Sequence, residues 1–319
     1  MQQKIRIASR GSALALWQTN HVKALLESAH PGIAVEITII KTTGDQILNS
    51  PLSVIGGKGV FTKELEESLL ANETDIAVHS LKDLPTSLPD GLEIIAILKR
   101  ASVEDAFLSN SAGMTIESLP HGATVATGSL RRKAQLLALR PDLNIVDIRG
   151  NVPTRIEKLR NSTWSGMLLA CAGIERLGLD KAINQKIPAS TILPAPGQGA
   201  IAIEARAGDE AISAICSILH DDETTKAVTA EREVLRMLGG GCQVPLGTFA
   251  NSKDGILELD SCIAMTDGKK MIRASAIGGK NESPSALGAR VASMLIEQGG
   301  DSIIASLSGD DFTSLMGTM

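Results

Sequence analysis

The sequence predicts an α/β protein built from two similar lobes, followed by a small, separate α+β domain. Three observations lead to this prediction. Short β-rich runs alternate with amphipathic helical runs through the first two-thirds of the 319 residues, which is typical of helices covering a largely parallel sheet. A similar series restarts near residue 104. From about residue 220 the pattern changes to a helix, β-like runs and a closing helix.

The first series predicts the elements of the first lobe. "KIRIAS" indicates a strand, "SALALWQTNHVKALLESA" a helix and "VEITIIKT" a second strand. After a long polar connection come the helix "FTKELEESLL" and the strands "DIAVHS" and "LEIIAIL". The connection ends in "GGKG" but does not match the phosphate-loop pattern GxxxxGK[ST]. We therefore interpret it as a lid.

The second series predicts a similar lobe. Its runs are "ATVAT", "LRRKAQLLALR", "NIVDIR", "TRIEKLR" and "GMLLACAG". The layout of strand, small polar residues, helix, basic residue with Pro, and strand occurs in both series. "TILPAPGQGAIAIEA" then adds a crossing and a further strand. The last domain is predicted from a helix, the β-like runs "ILELDSCIAM" and "KKMIRASAI", and the helix "SALGARVASMLIEQ".

The composition argues against several classes of protein. The net charge is -5, aromatic residues make up 2% of the chain and Tyr is absent, so nucleic acid is not an expected partner. The four cysteines form no close pair, which disfavours a zinc site or a disulfide framework, and we expect no metal. There is no signal-like hydrophobic region at "MQQKIRIASR" and no bilayer-length apolar run. We expect a cytoplasmic monomer that does not bind membranes.

In both lobes a predicted strand runs directly into a helix through hydroxyl residues and arginine. The first of these junctions contains Arg10 and Ser12, and the second contains Ser129, Arg131 and Arg132. Free N–H groups and the dipole make a helix N-terminus attractive to phosphates and carboxylates. The two serines are equally compatible with plain N-caps. Two sites of one design favour a ligand with several anionic groups, bound between the lobes.

Further arginines are concentrated in the second lobe. Arg149 is expected to close a strand, Arg155 follows closely, and Arg176 comes after "ACAGIE". The ends of strands and the loops beyond them are where α/β folds place ligands, and the planar guanidinium suits carboxylates. Arg140 and Arg160, at predicted helix C-termini, are better explained by the helix dipole.

"DIAVHSLKDLP" places Lys82 and Asp83 at the C-terminal end of a predicted central strand. A surface ion pair is the plain interpretation. An aspartate at this position can also accept a proton or stabilise a nearby cation. His79 is the more conventional acid–base residue, but a single histidine in a strand is more often part of the core.

Cys242 follows three glycines in "EVLRMLGGGCQVPLGTFA". A free cysteine is usually a small buried hydrophobic residue. Its predicted place after a helix C-terminus argues against an activated thiolate, because the dipole disfavours an anion there. A thiol on a bare glycine segment is better suited to the permanent attachment of a large group.

These stretches together resemble the porphobilinogen deaminase family, also called the hydroxymethylbilane synthases, along essentially the whole chain. The resembling stretches are "RIASRGSALALWQ", "GGKGVFTKELE", "DIAVHSLKDLP", "GSLRRKAQLL", "IRGNVPTR", "AGIERLGL", "LPAPGQGAIAIE" and "GGGCQVPLG". The resemblance implies two lobes similar to those of periplasmic binding proteins plus a small third domain. Lobe 1 would comprise 1–100 and 198–219, lobe 2 would comprise 101–197, and the C-terminal domain 220–319.

The resemblance also implies an activity, a transferase in tetrapyrrole (haem) biosynthesis. Such an enzyme joins four porphobilinogen molecules head to tail, releases ammonia and then frees linear hydroxymethylbilane. Its primer is a dipyrromethane cofactor, held here by a thioether to Cys242. By the same resemblance Asp83 is the catalytic residue, in contact with pyrrole N–H groups and stabilising the cation left when ammonia departs.

The remaining roles are carried over from the same motifs. Residues implied to bind the cofactor are Lys82, Asp83, Ser129, Arg131 and Arg132. Residues implied to receive substrate carboxylates or to lie at the lid are Arg10, Ser12, Arg149, Arg155, Arg176, Lys58 and Phe61. Gly128 departs from the pattern, since a serine is common there. The main rival interpretation is a binding protein without chemistry, whose two lobes close on a polyanionic small molecule.

Overall fold

A computed structural model describes residues 3–46, 59–239 and 244–306. The strands are β1 (Gln3–Arg10), β2 (Ile33–Ile40), β3 (Ile76–Ser80), β4 (Leu92–Ile97), β5 (Asp105–Leu108), β6 (Thr124–Ala126), β7 (Asn144–Val146), β8 (Gly166–Ala170), β9 (Gln185–Ile187), β10 (Ile201–Arg206), β11 (Leu246–Lys253), β12 (Ile256–Ala264) and β13 (Met271–Ile277). The helices are α1 (Ala13–Ala29), α2 (Thr43–Gln46), α3 (Lys63–Leu70), α4 (Leu130–Leu139), α5 (Val152–Arg160), α6 (Cys171–Arg176), α7 (Glu210–Cys216), α8 (Asp222–Met237) and α9 (Pro284–Glu297). Residues 300–306 are also helical.

The first lobe is a five-stranded sheet with the order β2-β1-β3-β10-β4. Strands β1, β2 and β3 are parallel, whereas β10 runs antiparallel to both of its neighbours. Ile5 and Ile7 of β1 are fully buried and pack against Val22 and Leu26 of α1. Alternation along the strand and helical spacing along α1 thus bring two apolar surfaces together. The placement of β10 in this sheet agrees with what the family resemblance implied.

The second lobe is also five-stranded, with the order β7-β6-β8-β5-β9. One prediction fails here. β7 ends at Val146, because it pairs with only the three residues of β6, so Arg149 lies in the following loop and does not close a strand. In "GMLLACAG" the strand ends at Ala170 and a helix begins at Cys171.

The C-terminal domain is an antiparallel meander, β11-β12-β13, covered by α8 and α9. Val234 of α8, Ile263 of β12 and Val291 of α9 are fully buried in its core. The sequence predicted the last two strands but not β11. Two α/β lobes and a small α+β domain are therefore confirmed as the fold class. The residue boundaries of the three domains stay predictions.

Glu231 of α8 connects the C-terminal domain to the two segments that run between the lobes. Its carboxylate, which is fully buried, accepts hydrogen bonds from Arg100 Nη1 at 2.6 Å and Nη2 at 3.0 Å. It also accepts from the backbone N–H of Gly197 at 2.7 Å and of Ala250 at 2.8 Å. Arg100 and Gly197 lie on the two segments that cross between the lobes, so one carboxylate holds both crossings to the third domain.

No helix within the described ranges is long and apolar enough to cross a membrane.

Candidate active site

A cavity of about 320 Å³ lies where the two lobes meet the C-terminal domain. Its lining comes from the segment after β3, the N-terminus of α4, the returning crossing and the junction between α8 and β11. Five of the predicted site residues line it together: Lys82, Asp83, Ser129, Arg131 and Arg132. The topology thus brings together residues about 50 positions apart in sequence, as the ends of strands in an α/β fold are expected to do.

Asp83 and Lys82 are placed by the end of the central strand of lobe 1. β3 runs into a 3-10 turn, Leu81–Asp83, whose Leu81 is fully buried and anchors the turn. The Asp83 side chain is exposed at the cavity. His79, by contrast, is buried inside lobe 1, with Nε2 2.9 Å from Glu204 Oε2, and the cavity lining does not include it.

An arginine from the C-terminal domain holds this turn in place. Arg232 of α8 donates to the backbone carbonyls of Leu81 at 3.4 Å, Leu84 at 3.0 Å and Pro85 at 2.5 Å. Burial lowers the pKa of Arg232 to about 10, so it remains a cation at neutral pH. The backbone that carries Asp83 is therefore fixed from two domains.

Lys82 lies in an environment that lowers the pKa of its side chain. Burial lowers the pKa of its ammonium to about 8, and the nearby charges of Arg131 and Arg132 act in the same direction. Asp83 and Asp105 oppose this shift. Lys82 Nζ lies 3.5 Å from Gln198 Oε1. The pKa of the ammonium is thus only slightly above neutral pH, and most Lys82 side chains are charged there.

Ser129 caps α4, since its Oγ accepts a hydrogen bond from Arg132 N at 3.4 Å. Arg131 and Arg132 follow on the first turn and are only 4% and 6% exposed. Arg131 Nη1 donates to Asp105 Oδ2 at 2.8 Å, and Arg132 Nη2 donates to Asp105 Oδ1 at 2.7 Å. One buried carboxylate therefore divides its two oxygens between two adjacent guanidinium groups.

Asp105 and Gln198 are two residues of this network that the sequence analysis did not single out. Asp105 opens a four-residue strand and is fully buried. Gln198 Nε2 donates to Asp105 Oδ1 at 2.9 Å and to Val103 O at 2.7 Å. The available signal was the pair of consecutive arginines, since two adjacent buried cations need a buried carboxylate near them.

The cavity suits a group that carries several carboxylates. Four cationic side chains line it, from Lys82, Arg131, Arg132 and Arg236. In addition, Nε of Arg131 and Nε of Arg132 are buried without a hydrogen-bond partner within the described residues. Buried donors are normally satisfied, and anionic oxygens are the partners that guanidinium groups bind most strongly.

Arg149 and Arg155 extend the positive charge from this cavity along lobe 2. Arg155 Nε donates to Gly150 O at 2.6 Å. Burial, together with the charges of Arg132 and Arg149, lowers the pKa of Arg155 to about 10, while Asp147 and Asp83 oppose that shift. Arg149 Nε lies 3.4 Å from Asp147 Oδ2. The charges of Arg132, Arg149, Asp147 and Asp83 therefore all act on the Arg155 guanidinium.

The other predicted side chains lie beyond the cavity lining. Arg176 Nη2 donates to Gly199 O at 2.7 Å, and its guanidinium lies 5.7 Å from the ring centroid of Trp17. The guanidinium of Arg10 lies 4.2 Å from the ring centroid of Phe61. Ser12 caps α1 by accepting from Ala15 N at 3.3 Å.

Lys58 and Cys242 lie outside the described residues. The described residues nearest to Cys242 on either side, Gly239 and Val244, both line the cavity. Gly128 also lines it, and a Cβ added there would lie 2.7 Å from the carbonyl oxygen of Ile148. A serine at this position would therefore require the Ile148 backbone to move.

Two family models match the chain. "Porphobilinogen deaminase, dipyromethane cofactor binding domain" matches residues 5–214, and "Porphobilinogen deaminase, C-terminal domain" matches residues 225–297. The chain belongs to the porphobilinogen deaminase family. The match to the cofactor-binding domain spans both lobes and includes Lys82, Asp83 and the arginine pair at the N-terminus of α4.

Curated relatives carry the same family name. The chain is 48% identical to the porphobilinogen deaminase of Syntrophomonas wolfei over 302 residues, covering 95% of this chain and 98% of the relative. It is 45% identical to that of Geobacter sulfurreducens over 304 residues, covering 95% of each chain.

Among solved structures, the chain is similar to the methionine-binding protein MetQ and to a TRAP periplasmic solute-binding protein from Desulfovibrio salexigens. The TM-scores are 0.44 and 0.42, and the identities 13% and 11%. The matches cover 70% of this chain and 92% of MetQ, and 69% of this chain and 73% of the TRAP protein. The fold class rests on the strand order described above.

Proposed function

We propose that this chain is a hydroxymethylbilane synthase of tetrapyrrole (haem) biosynthesis. It would join four porphobilinogen molecules head to tail, release one ammonia for each and free the linear bilane by hydrolysis. The observation that carries the proposal is the cavity in which the exposed carboxylate of Asp83 lies among Lys82, Arg131 and Arg132. This arrangement matches a substrate that bears carboxylates and develops positive charge as ammonia leaves.

The dipyrromethane cofactor of the family would supply, when bound, the pyrrole end to which the first substrate is joined. We propose Cys242 as its thioether ligand and Lys82, Ser129, Arg131 and Arg132 as the groups that hold its carboxylates. The position of Gly239 and Val244 in the cavity lining supports this assignment.

Asp83 is the proposed catalytic residue. Its carboxylate would accept hydrogen bonds from pyrrole N–H groups and offset the positive charge that develops on the substrate as the aminomethyl group loses ammonia. In enzymes, removing one hydrogen-bond donor that stabilises transition-state charge lowers kcat by roughly 10²- to 10³-fold. We expect the Asp83 carboxylate, which stabilises charge of the opposite sign, to have an effect of similar size. The hydrogen bonds from Arg232 to the backbone around Asp83 support this role, because a carboxylate can stabilise a developing charge only from a fixed position.

The substrate's acetate and propionate groups would be bound by the arginines around the cavity. We propose Arg149 and Arg155 first, because the charges of Arg149 and of Asp83 both act on the Arg155 guanidinium. Arg10, Ser12 and Arg176 are proposed as further contacts, with Lys58 and Phe61 beside the lid. The cytoplasmic location and the monomeric state stay predictions of the sequence.

Intact mass under denaturing conditions tests the proposed function. After incubation with porphobilinogen, we expect an added mass of two linked pyrrole units, mapped to Cys242 and absent from Cys242→Ser. Three other thiols provide internal controls: Cys171, Cys216 and Cys262 are free and buried. Burial raises the pKa of these thiols to about 12, 12 and 11, respectively.

Two results would count against the synthase. An unmodified Cys242 after incubation, with porphobilinogen bound but not consumed, would favour the binding-protein interpretation. Modification of any of the three buried cysteines instead of Cys242 would contradict the assignment of the tether.

The lowered pKa of Lys82 predicts a fall in kcat/KM as pH rises through about 8. Below that pH the ammonium is charged and binds carboxylates, and above it the charge is lost. In Lys82→Arg the side chain stays charged, because guanidinium does not titrate in this range. We expect the falling limb near pH 8 in the wild type and its absence in Lys82→Arg, measured between pH 6 and 9. An unchanged limb in the variant would assign it to another group.

A further inference from the structure

Asp105 is at the centre of a buried network that reaches three of the cations in the cavity lining, Lys82, Arg131 and Arg132. Both of its oxygens are engaged, Oδ2 by Arg131 Nη1 and Oδ1 by Arg132 Nη2 and Gln198 Nε2, at 2.7 to 2.9 Å. Gln198 in turn places its Oε1 3.5 Å from Lys82 Nζ. The network therefore spans from the second lobe to the first.

Asp105 itself cannot touch the reacting groups. It is fully buried and does not line the cavity, whereas Lys82, Arg131, Arg132 and Gln198 all do. Any influence on the reaction must therefore pass through these four side chains. This separates Asp105 from Asp83, whose carboxylate is exposed at the cavity.

The geometry restricts each arginine to one orientation. Arg131 Nη1 also donates to Leu193 O at 2.6 Å, and Arg132 Nη1 donates to Leu168 O at 3.5 Å. With those donors engaged, only the remaining donors of each planar group can serve a ligand. Planar, bidentate recognition of carboxylates depends on such fixed orientation.

Charge leads to the same conclusion. Burial alone would raise the pKa of Asp105, but the adjacent charges of Arg131 and Arg132, together with their hydrogen bonds, hold it well below its usual value. The carboxylate is therefore ionised and separates two buried cations that would otherwise repel each other. Breaking such a pair would leave an uncompensated buried charge.

We propose that Asp105 is a positioning residue: it fixes Arg131, Arg132 and, through Gln198, Lys82 in the one arrangement that receives the carboxylates of the pyrrole chain. The inference rests on the proposed synthase function. Its consequence is that removing or lengthening this buried carboxylate impairs cofactor assembly and substrate use, although it never contacts either molecule.

The test compares Asp105→Asn and Asp105→Glu with the wild type and with a matched control, Asp142→Asn. Asp142 also pairs with an arginine of lobe 2, since its Oδ1 lies 2.8 Å from Arg140 Nε, but it is absent from the described cavity lining. Four quantities are measured: the thermal midpoint, the mass added to the apo-protein by porphobilinogen, kcat/KM, and its pH profile.

We expect Asp105→Asn and Asp105→Glu to lower kcat/KM by roughly 10- to 100-fold, the range seen when a supporting residue is lost or a group shifts by about 1 Å. Loading of the apo-protein should slow in both variants. In Asp105→Asn the alkaline limb should also shift to lower pH, because the groups facing Lys82 would then be Asp83, Arg131 and Arg132 without the negative charge of Asp105. Asp142→Asn should match the wild type in loading, kcat/KM and pH profile.

Asp105→Glu separates positioning from charge balance. It keeps the charge but moves the oxygens by one methylene, so wild-type kcat/KM and loading in folded Asp105→Glu would overturn the proposal. Failure of both variants to fold would assign Asp105 to the fold alone and would also overturn it. If the wild type neither loads nor turns over porphobilinogen, the proposed function fails first, and that outcome is distinct from normal turnover in the variants.

Discussion

Asp83→Asn is expected to lower kcat by about 10² to 10⁴, the range that general acid–base or electrostatic groups contribute. The change keeps the size of the side chain and removes only its charge and basicity. Because Asp83 is exposed at the cavity, the fold and the thermal midpoint should be unchanged. The measurement is the rate of porphobilinogen consumption together with ammonia release, by protein whose cofactor content has been confirmed by mass.

The matched control is Asp90→Asn, on the same connection between β3 and β4. Asp90 is also exposed, but it does not line the cavity within the described residues, so this variant should retain normal turnover. Wild-type kcat in folded, loaded Asp83→Asn would remove Asp83 from the mechanism.

Glu231→Ala is expected to lower the free energy of unfolding by about 3–5 kcal/mol, the usual cost of breaking a buried ion pair from one side. The variant leaves the Arg100 guanidinium, which is 11% exposed, without its carboxylate. It also leaves the N–H groups of Gly197 and Ala250 without their acceptor. Urea unfolding followed by circular dichroism measures the loss.

Glu233→Ala, two residues along the same helix, is the control. Glu233 pairs with Arg236, and the two side chains are 16% and 56% exposed; ion pairs that solvent reaches contribute roughly 0–1 kcal/mol. A loss in Glu231→Ala no larger than in Glu233→Ala would show that the three-way junction does not contribute to stability.

The parts of the site that follow local rules could be predicted from the sequence. Lys82 and Asp83 come just after the buried strand β3, and Ser12 and Ser129 precede helices in the way N-caps do. The capping hydrogen bonds are now observed for both serines. Ligand contact by either serine stays a prediction.

What could not be predicted depends on pairing between distant segments. β5 and β9 have four and three residues, too few to show a period. The role of Asp105 appears only when β5 lies beside α4 and the returning crossing brings Gln198 next to it. The two adjacent acidic residues in "VEDAF", Glu104 and Asp105, carry no such signal in the sequence.

The position of β10 determines the order in which the lobes can form during synthesis. Lobe 2 takes all its strands from one continuous segment, β5 to β9, whereas β4 joins the sheet of lobe 1 only through β10. A chain emerging from the ribosome therefore completes its second sheet before its first. The edge of β3 that β10 will occupy stays open through that interval, and an open strand edge is a site for wrong pairing. The residues that lead into Asp83 are thus among the last in the two lobes to reach their final neighbours.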